Sequence, residues 1–276
     1  MSGKFDGILL ATDVDGTLAN FNEIPRRNIE AIQHFVKEGG MFTVCTGRGY
    51  AMTYDIVNQV PVNVPGICVN GMQLYDFQQK KVISEIYLPK EAEKILADMR
   101  KQFPDIGVMI VADNTYTIIE EGKYAVGDLR YRLDRFKSLG QYVDGTMESL
   151  YPDWTKILFL VTGDRMREAQ AYFEDHHTSQ GIHVMITAPY FLEMIDAACD
   201  KGTGLRNLRT LLGAKVKRLV TVGDSYNDLS MFREADLSTA VQEAEPEVRE
   251  KADLLVGPCM QGAVADVIEF LGREVS

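Results

Sequence analysis

The sequence predicts an α/β protein: a doubly wound parallel sheet built from two separated stretches of chain, with an α+β domain inserted between them. Three observations carry this expectation. Strand and helix signals alternate from residue 8 to residue 69, the rhythm changes to helix-then-two-strands through the middle third, and alternation returns at Lys201. The stretches 1–84 and 190–276 are expected to share one sheet, leaving 85–189 as the insert.

Residues 8–12 read as a buried strand, and Pro25 suits the first turn of a helix whose apolar positions are Ile29, Ile32, Phe35 and Val36. Gly39 and Gly40 end that helix. A strand at 41–45, a helix at 50–60 and a strand at 66–69 complete a β-α-β-α-β series. After Asn70-Gly71 the runs 73–75 and 81–87 look like a hairpin, and 89–103 is an amphipathic helix with Ala92, Ile95, Leu96 and Met99 inward. Strands at 107–112 and 115–120 follow, and the same order recurs as a helix at 164–180 and strands at 183–187 and 190–195. This middle part is expected to hold a mainly antiparallel sheet. From 201 onward come a helix at 201–212, stopped by Gly213, a strand at 218–222, then 226–235, 237–241, 246–251, 254–256 and 262–271 in alternation.

A chain of 276 residues with 46% hydrophobic side chains can bury a real core. Its apolar runs, such as 157–161, fall far short of the ~20 residues of a membrane span. A formal net charge of −11 argues against a nucleic-acid surface, which needs clustered Lys and Arg. Cys45, Cys68, Cys199 and Cys259 form no C-x-x-C pair, and the first residues lack a secretory-type apolar stretch, so a reducing cytoplasm is the expected setting. No oligomeric state is specified.

Ligands of open parallel sheets sit beyond the carboxyl ends of strands. Four such ends carry unusual residues: Asp13 and Asp15 in DVDGT, Thr46-Gly47-Arg48, Lys201 opening a helix, and Asp224 with Asn227 and Asp228 in GDSYND. Carboxylates crowded there repel each other unless a hard cation such as Mg²⁺ joins them and helps to hold a phosphate. Asp13 is then suited to attack phosphorus, and Asp15 to protonate the leaving alkoxide and later deprotonate water. Gly16 permits a tight turn, so that N–H groups near Val14 and Asp15 meet phosphate oxygens, while Thr46 adds a hydroxyl and Lys201 a compact positive charge. An EF-hand reading of D-x-D fails because Leu18 and Ile24 stand where Gly and Glu are required. Thr46 alone also fits a helix cap, and Asp228 a first-turn carboxylate.

The ordered set DVDGT, VCTGR, DKGTG and GDSYND resembles the four motifs of the haloacid dehalogenase-like superfamily, and the position of the insert, with VNGMQLYD leading into it, resembles the Cof-type branch with a type IIB cap. The resemblance implies a Rossmann-like core and Mg²⁺-dependent hydrolysis of small phosphate esters, namely sugar phosphates or phosphorylated cofactors such as flavin mononucleotide and pyridoxal phosphate. It implies Asp13 as nucleophile, Asp15 as acid/base, Thr46 and Lys201 on the phosphate with Val14, Gly47 and Asn227 beside it, and Mg²⁺ on Asp13, the Asp15 carbonyl and Asp224, with Asp228 adjacent, directly or through water. Asp200 before the lysine and Ser225 are small departures. Two rivals remain open at this point: a phosphomutase using the same aspartate, and a non-enzymatic phosphoacceptor switch, against which Asp15 and the insert argue.

Overall fold

Strand β1 (Ile8–Thr12) is buried at every position, the pattern of a strand with neighbours on both sides and helices over both faces. In the computed structural model, which describes residues 3–150, 153–178 and 181–274, it pairs in parallel with β2 (Met41–Val44) and, on its other side, with β12 (Arg218–Gly223). The five-stranded sheet continues from β12 to β13 (Leu237–Ala240) and β14 (Leu254–Leu255), all parallel. The chain therefore steps one way from β1 and the opposite way from β12. The helices of the two halves pack in pairs: α1 (Arg26–Lys37) against α9 (Ala263–Glu274), and α7 (Leu229–Glu234) against α6 (Lys201–Leu212).

Helix α2 (Tyr50–Val57) leads to β3 (Gly66–Cys68), which completes the expected β-α-β-α-β order but lies in a separate sheet. It touches the parallel sheet through an isolated bridge between Cys45 and Ile67, and its ladder is antiparallel, to β4 (Gln73–Asp76) and then β5 (Lys81–Glu85). The cause is the turn at Val69–Gly71, where three successive residues have φ of 51°, 51° and 95° and fold the chain back on itself. Valine rarely tolerates that region, so this backbone is held by its surroundings.

The chain divides into two units, Met1–Glu85 with Cys199–Ser276, and Ile86–Ala198. The second contains α3 (Glu91–Gln102), β6 (Gly107–Ala112), β7 (Thr115–Glu120), α4 (Gly127–Ser138), β8 (Tyr142–Asp144), β9 (Trp154–Leu160), α5 (Gly163–His177), β10 (Ile182–Ala188) and β11 (Phe191–Asp196). Its sheet runs β10-β11-β9-β6-β7-β8, antiparallel except for β7 beside β8. Ile95 and Met99 of α3 and Met166 and Phe173 of α5 close a core with Val108, Ile110, Ile157, Phe159, Leu192 and Met194, all from one face of the sheet.

The second unit corrects the sequence reading in two places. A boundary at 189/190 would cut the β10–β11 hairpin, whose two strands pair from Ile182–Asp196 to Ala188–Phe191; β11 also lies against β9, so the chain returns to the first unit only at Cys199. Strands β8 and β9 were not expected as elements, because β8 is three residues long and β9 was read only as an apolar run. Residues 179 and 180 of the expected helix 164–180 lie outside the described residues, and α5 closes at His177. Among the described residues no helix is long and apolar enough to cross a membrane.

Candidate active site

The strand order reverses between β1 and β12, and the residues that leave those two strands face one another. Asp13 follows β1 directly, its N–H bonded to the Val222 carbonyl at 2.9 Å. The turn behind it is closed by the Val14 carbonyl, which accepts the Leu18 and Ala19 N–H groups, while Val14 itself is buried. Gly16 takes φ +90°, and a Cβ there would stand 2.7 Å from Asp224 Oδ2, so only glycine lets the two loops approach. Thr17 Oγ1 bridges them, donating to Asp224 Oδ1 at 2.6 Å.

Asp228 arrives from the turn after β12. Its Oδ2 accepts the Asp224 and Ser225 N–H groups at 2.9 and 3.0 Å, which satisfies a carboxylate that is fully buried. Gly223 makes room for it, since a Cβ at that position would meet Asp228 side-chain atoms at 2.5–2.7 Å. Ser225, the small departure noted in the sequence, caps this turn together with Asp228.

Lys201 begins α6, and Asp200 is the cap of that helix: its Oδ1 accepts the Thr203 N–H at 2.7 Å, and Thr203 Oγ1 accepts the Asp200 N–H at 2.8 Å. Three glycines set the depth of this helix start. A Cβ on Gly71 would fall 2.0 Å from the Asp200 carbonyl oxygen, one on Gly202 2.4 Å from that of Ser230, and one on Gly204 2.9 Å from Gly71 Cα. Lys201 is thereby driven inward to 1% exposure, and its Nζ donates to Asp13 Oδ1 at 2.5 Å and to Asp228 Oδ1 at 2.6 Å.

Among the described residues Asp13, Asp224 and Asp228 form a metal-capable group, one oxygen from each lying within 4.8 Å of the others. Burial holds the Asp13 carboxyl well above the ordinary range; Lys201 counters this, and Asp228 and Asp224 add to it. Burial and then Asp228 push Asp224 up to about 6. Burial disfavours the Lys201 ammonium, but Asp13 and Asp228 outweigh it and hold its pKa above the ordinary value. Three carboxylates facing one ammonium leave two negative charges uncompensated when all are ionised, and hard oxygen donors with that deficit fit a divalent cation such as Mg²⁺.

The other expected residues divide into two groups. The half-exposed Asp15 carboxylate lies on the Arg48 guanidinium, with bonds of 2.6 and 2.8 Å. Thr46 is buried, with its Oγ1 accepting the Arg48 N–H at 3.1 Å and its carbonyl accepting the Asn70 N–H at 3.0 Å. Asn227 Nδ2 donates to Asn70 Oδ1 at 3.2 Å, and Asn70 also lines Gly47, whose Cβ position would be 3.2 Å from that same oxygen. Asn70, Arg48 and Thr17 were not assigned from sequence. The signals were present: Thr17 closes DVDGT, Arg48 follows Thr46-Gly47, and Asn70-Gly71 is a dipeptide that favours positive φ.

A family model described as haloacid dehalogenase-like hydrolase matches residues 10–268. The chain belongs to that family. Within it the enzyme is a phosphatase of the Cof-type branch. It is 27% identical to a 5-amino-6-(5-phospho-D-ribitylamino)uracil phosphatase, YwtE, of Bacillus subtilis, over 95% of this chain and 97% of that one. It is 22% identical to the pyridoxal phosphate phosphatase YbhA of Escherichia coli, over 94% and 97%. The fold is that of a haloacid dehalogenase-like hydrolase from Bacteroides thetaiotaomicron, with a TM-score of 0.80 at 22% identity, covering 95% of this chain and 98% of that one.

Proposed function

We propose that this phosphatase hydrolyses phosphomonoesters of small metabolites through an aspartyl phosphate on Asp13, with Mg²⁺ as cofactor. The observation that carries the reading is the convergence of Asp13, Asp224 and Asp228 around the buried Lys201 at the switch point of the sheet. Bound Mg²⁺, held by Asp13, Asp224, the Asp15 carbonyl and, directly or through water, Asp228, supplies positive charge against the incoming dianion. An Asp13 oxygen forms the new bond to phosphorus as the ester oxygen departs, and the Asp15 carboxyl gives that oxygen its proton. The Asp15 carboxylate then takes a proton from water, whose oxygen attacks phosphorus and releases Asp13 and inorganic phosphate. Lys201 holds Asp13 in place and, with the Thr46 hydroxyl and groups of Val14, Gly47 and Asn227, binds the phosphate oxygens.

We further propose that the inserted unit is the cap that selects the leaving group, and that the substrates are sugar phosphates or phosphorylated cofactors of the kind named for the relatives YwtE and YbhA. Support comes from their similarity along nearly the whole of both chains. The test is phosphate release from sugar phosphates, nucleotides, flavin mononucleotide, pyridoxal phosphate and p-nitrophenyl phosphate, with Mg²⁺ and with excess chelator. Release that is lost with chelator and in Asp13→Asn is the expected result. Undiminished turnover in Asp13→Asn sinks the aspartyl-phosphate reading, and undiminished turnover in chelator sinks the Mg²⁺ reading.

A further inference from the structure

Arg48 is 7% exposed, yet it grips a carboxylate that is half exposed. Its Nε donates to Asp15 Oδ2 at 2.8 Å and its Nη2 to Asp15 Oδ1 at 2.6 Å, a two-bond fork that fixes the plane of the carboxylate as well as its position. The remaining arm, Nη1, donates to Asn22 Oδ1 at 2.6 Å. Asn22 lies in the tip of a hairpin closed by two bonds between Asn20 and Glu23, with Phe21 and Asn22 at φ 46° and 69° as such a two-residue turn requires. That tip is fastened in turn to α2 and the turn after it: Asn22 Nδ2 donates to Asp55 Oδ2 at 3.1 Å, and the Asn22 carbonyl accepts from Gln59 Nε2 at 2.9 Å. A continuous chain of bonds thus runs from α2 through the hairpin tip and the guanidinium to Asp15.

We propose that Arg48 is a positioning residue that aims the Asp15 carboxyl at the ester oxygen, and that Asn22 aims Arg48. The inference rests on the acid/base role of Asp15 proposed above. The guanidinium acts through Asp15 and not on the substrate, and Asn22 holds the third arm so that the fork cannot swing. A misplacement of about 1 Å in such a group costs on the order of 100-fold in rate, so loosening the fork acts on turnover and not on ground-state binding.

The experiment measures kcat and KM with Mg²⁺ for Arg48→Gln, Arg48→Lys, Asn22→Ala, Asp15→Asn and the double variant Asp15→Asn/Arg48→Gln. The substrates are p-nitrophenyl phosphate, whose leaving phenolate needs no proton, and the best alkyl ester of the panel, whose leaving alkoxide does. For the alkyl ester, Arg48→Gln is expected to lower kcat by roughly 10- to 100-fold with KM nearly unchanged. The loss in kcat/KM is smaller for p-nitrophenyl phosphate. Arg48→Lys recovers part of the activity, Asn22→Ala loses a few-fold, and Arg48→Gln costs nothing further once Asp15 is Asn. A purely structural role would lower both substrates alike. An added loss in the double variant, or a raised KM, overturns the proposal by placing Arg48 on the substrate. Full activity in Asp15→Asn instead overturns the acid/base role itself. If Arg48→Gln does not fold, judged by its circular dichroism melt, Asn22→Ala in the same two backgrounds carries the test.

Discussion

Replacing Lys201 by Met is the most searching perturbation of this site. The ammonium is 1% exposed and sits 2.5 Å from Asp13 and 2.6 Å from Asp228, so its removal leaves two buried carboxylates facing each other beside Asp224 with no counter-charge. Deleting one partner of a buried pair costs about 3–5 kcal/mol, and here one deletion breaks two pairs, which puts the expectation near the upper end. At about 2–4 °C per kcal/mol for a unit of this size, the transition of the first unit falls by roughly 8–20 °C. The lysine pKa is raised in the folded state, so its stabilisation is complete below the ordinary lysine value and lost only in strong alkali; a melt at pH 7 in chelator captures all of it. The buried Asp13 and Asp224 carboxyls are raised, to about 6 for Asp224, so protonation below that value favours the folded state. Acidification toward pH 5 should therefore restore part of what the variant loses. Calorimetric or urea unfolding at both pH values gives the answer. A variant within about 0.5 kcal/mol of the parent at pH 7, or one that gains nothing at pH 5, refutes the reasoning.

Two further expectations follow from contacts outside the carboxylate cluster. Gly71→Ala sets a Cβ 2.0 Å from the Asp200 backbone carbonyl at a position of φ +95°, so α6 must shift; a lowered urea midpoint should accompany a large loss of phosphate release, and unchanged activity would show that the start of α6 is not held by that contact. In the inserted unit, Arg130 and then Lys137 push Glu121 down to about 2, stability that is present above the ordinary glutamate value and lost as pH falls through about 2. Glu121→Gln should cost about 1 kcal/mol at pH 7, with partial solvent screening allowed for, and progressively less as the pH falls toward and below 2; a gap that does not close on acidification argues against the ion-pair origin.

Much of this was legible in the residues because the signals are local. The run Ile8–Ala11 is apolar, as suits a strand that is buried at every position, and the four strand-end motifs announce themselves by charge at places where a strand would otherwise stop silently. Asp13, Lys201, Asp224 and Asp228 meet as their positions at strand and helix ends implied. Other features depend on approach between distant segments. Gly202 and Gly223 look like ordinary glycines until the Ser230 carbonyl and the Asp228 carboxylate are seen against them. Arg48 offered a cation with no hint of which of the nearby carboxylates it would take. The second edge of the insert was set at 190 although 190–195 reads as the second strand of the insert's own repeat; the pairing of β11 with β9 and β10 puts that edge after Ala198.

The pairing of residues 8–12 with residues 218–222 has a consequence for how the protein is made. On a ribosome the first strand emerges early, yet its partner appears only after the whole inserted unit has been synthesised. That unit carries its own core and is free to fold in the interval. Until residue 222 is out, β1 and β2 wait with one edge of their ladder open, the kind of exposed strand that chaperones shield. The catalytic constellation is then among the last features to form, and a chain truncated before β12 carries Asp13 and Lys201 without Asp224 and Asp228.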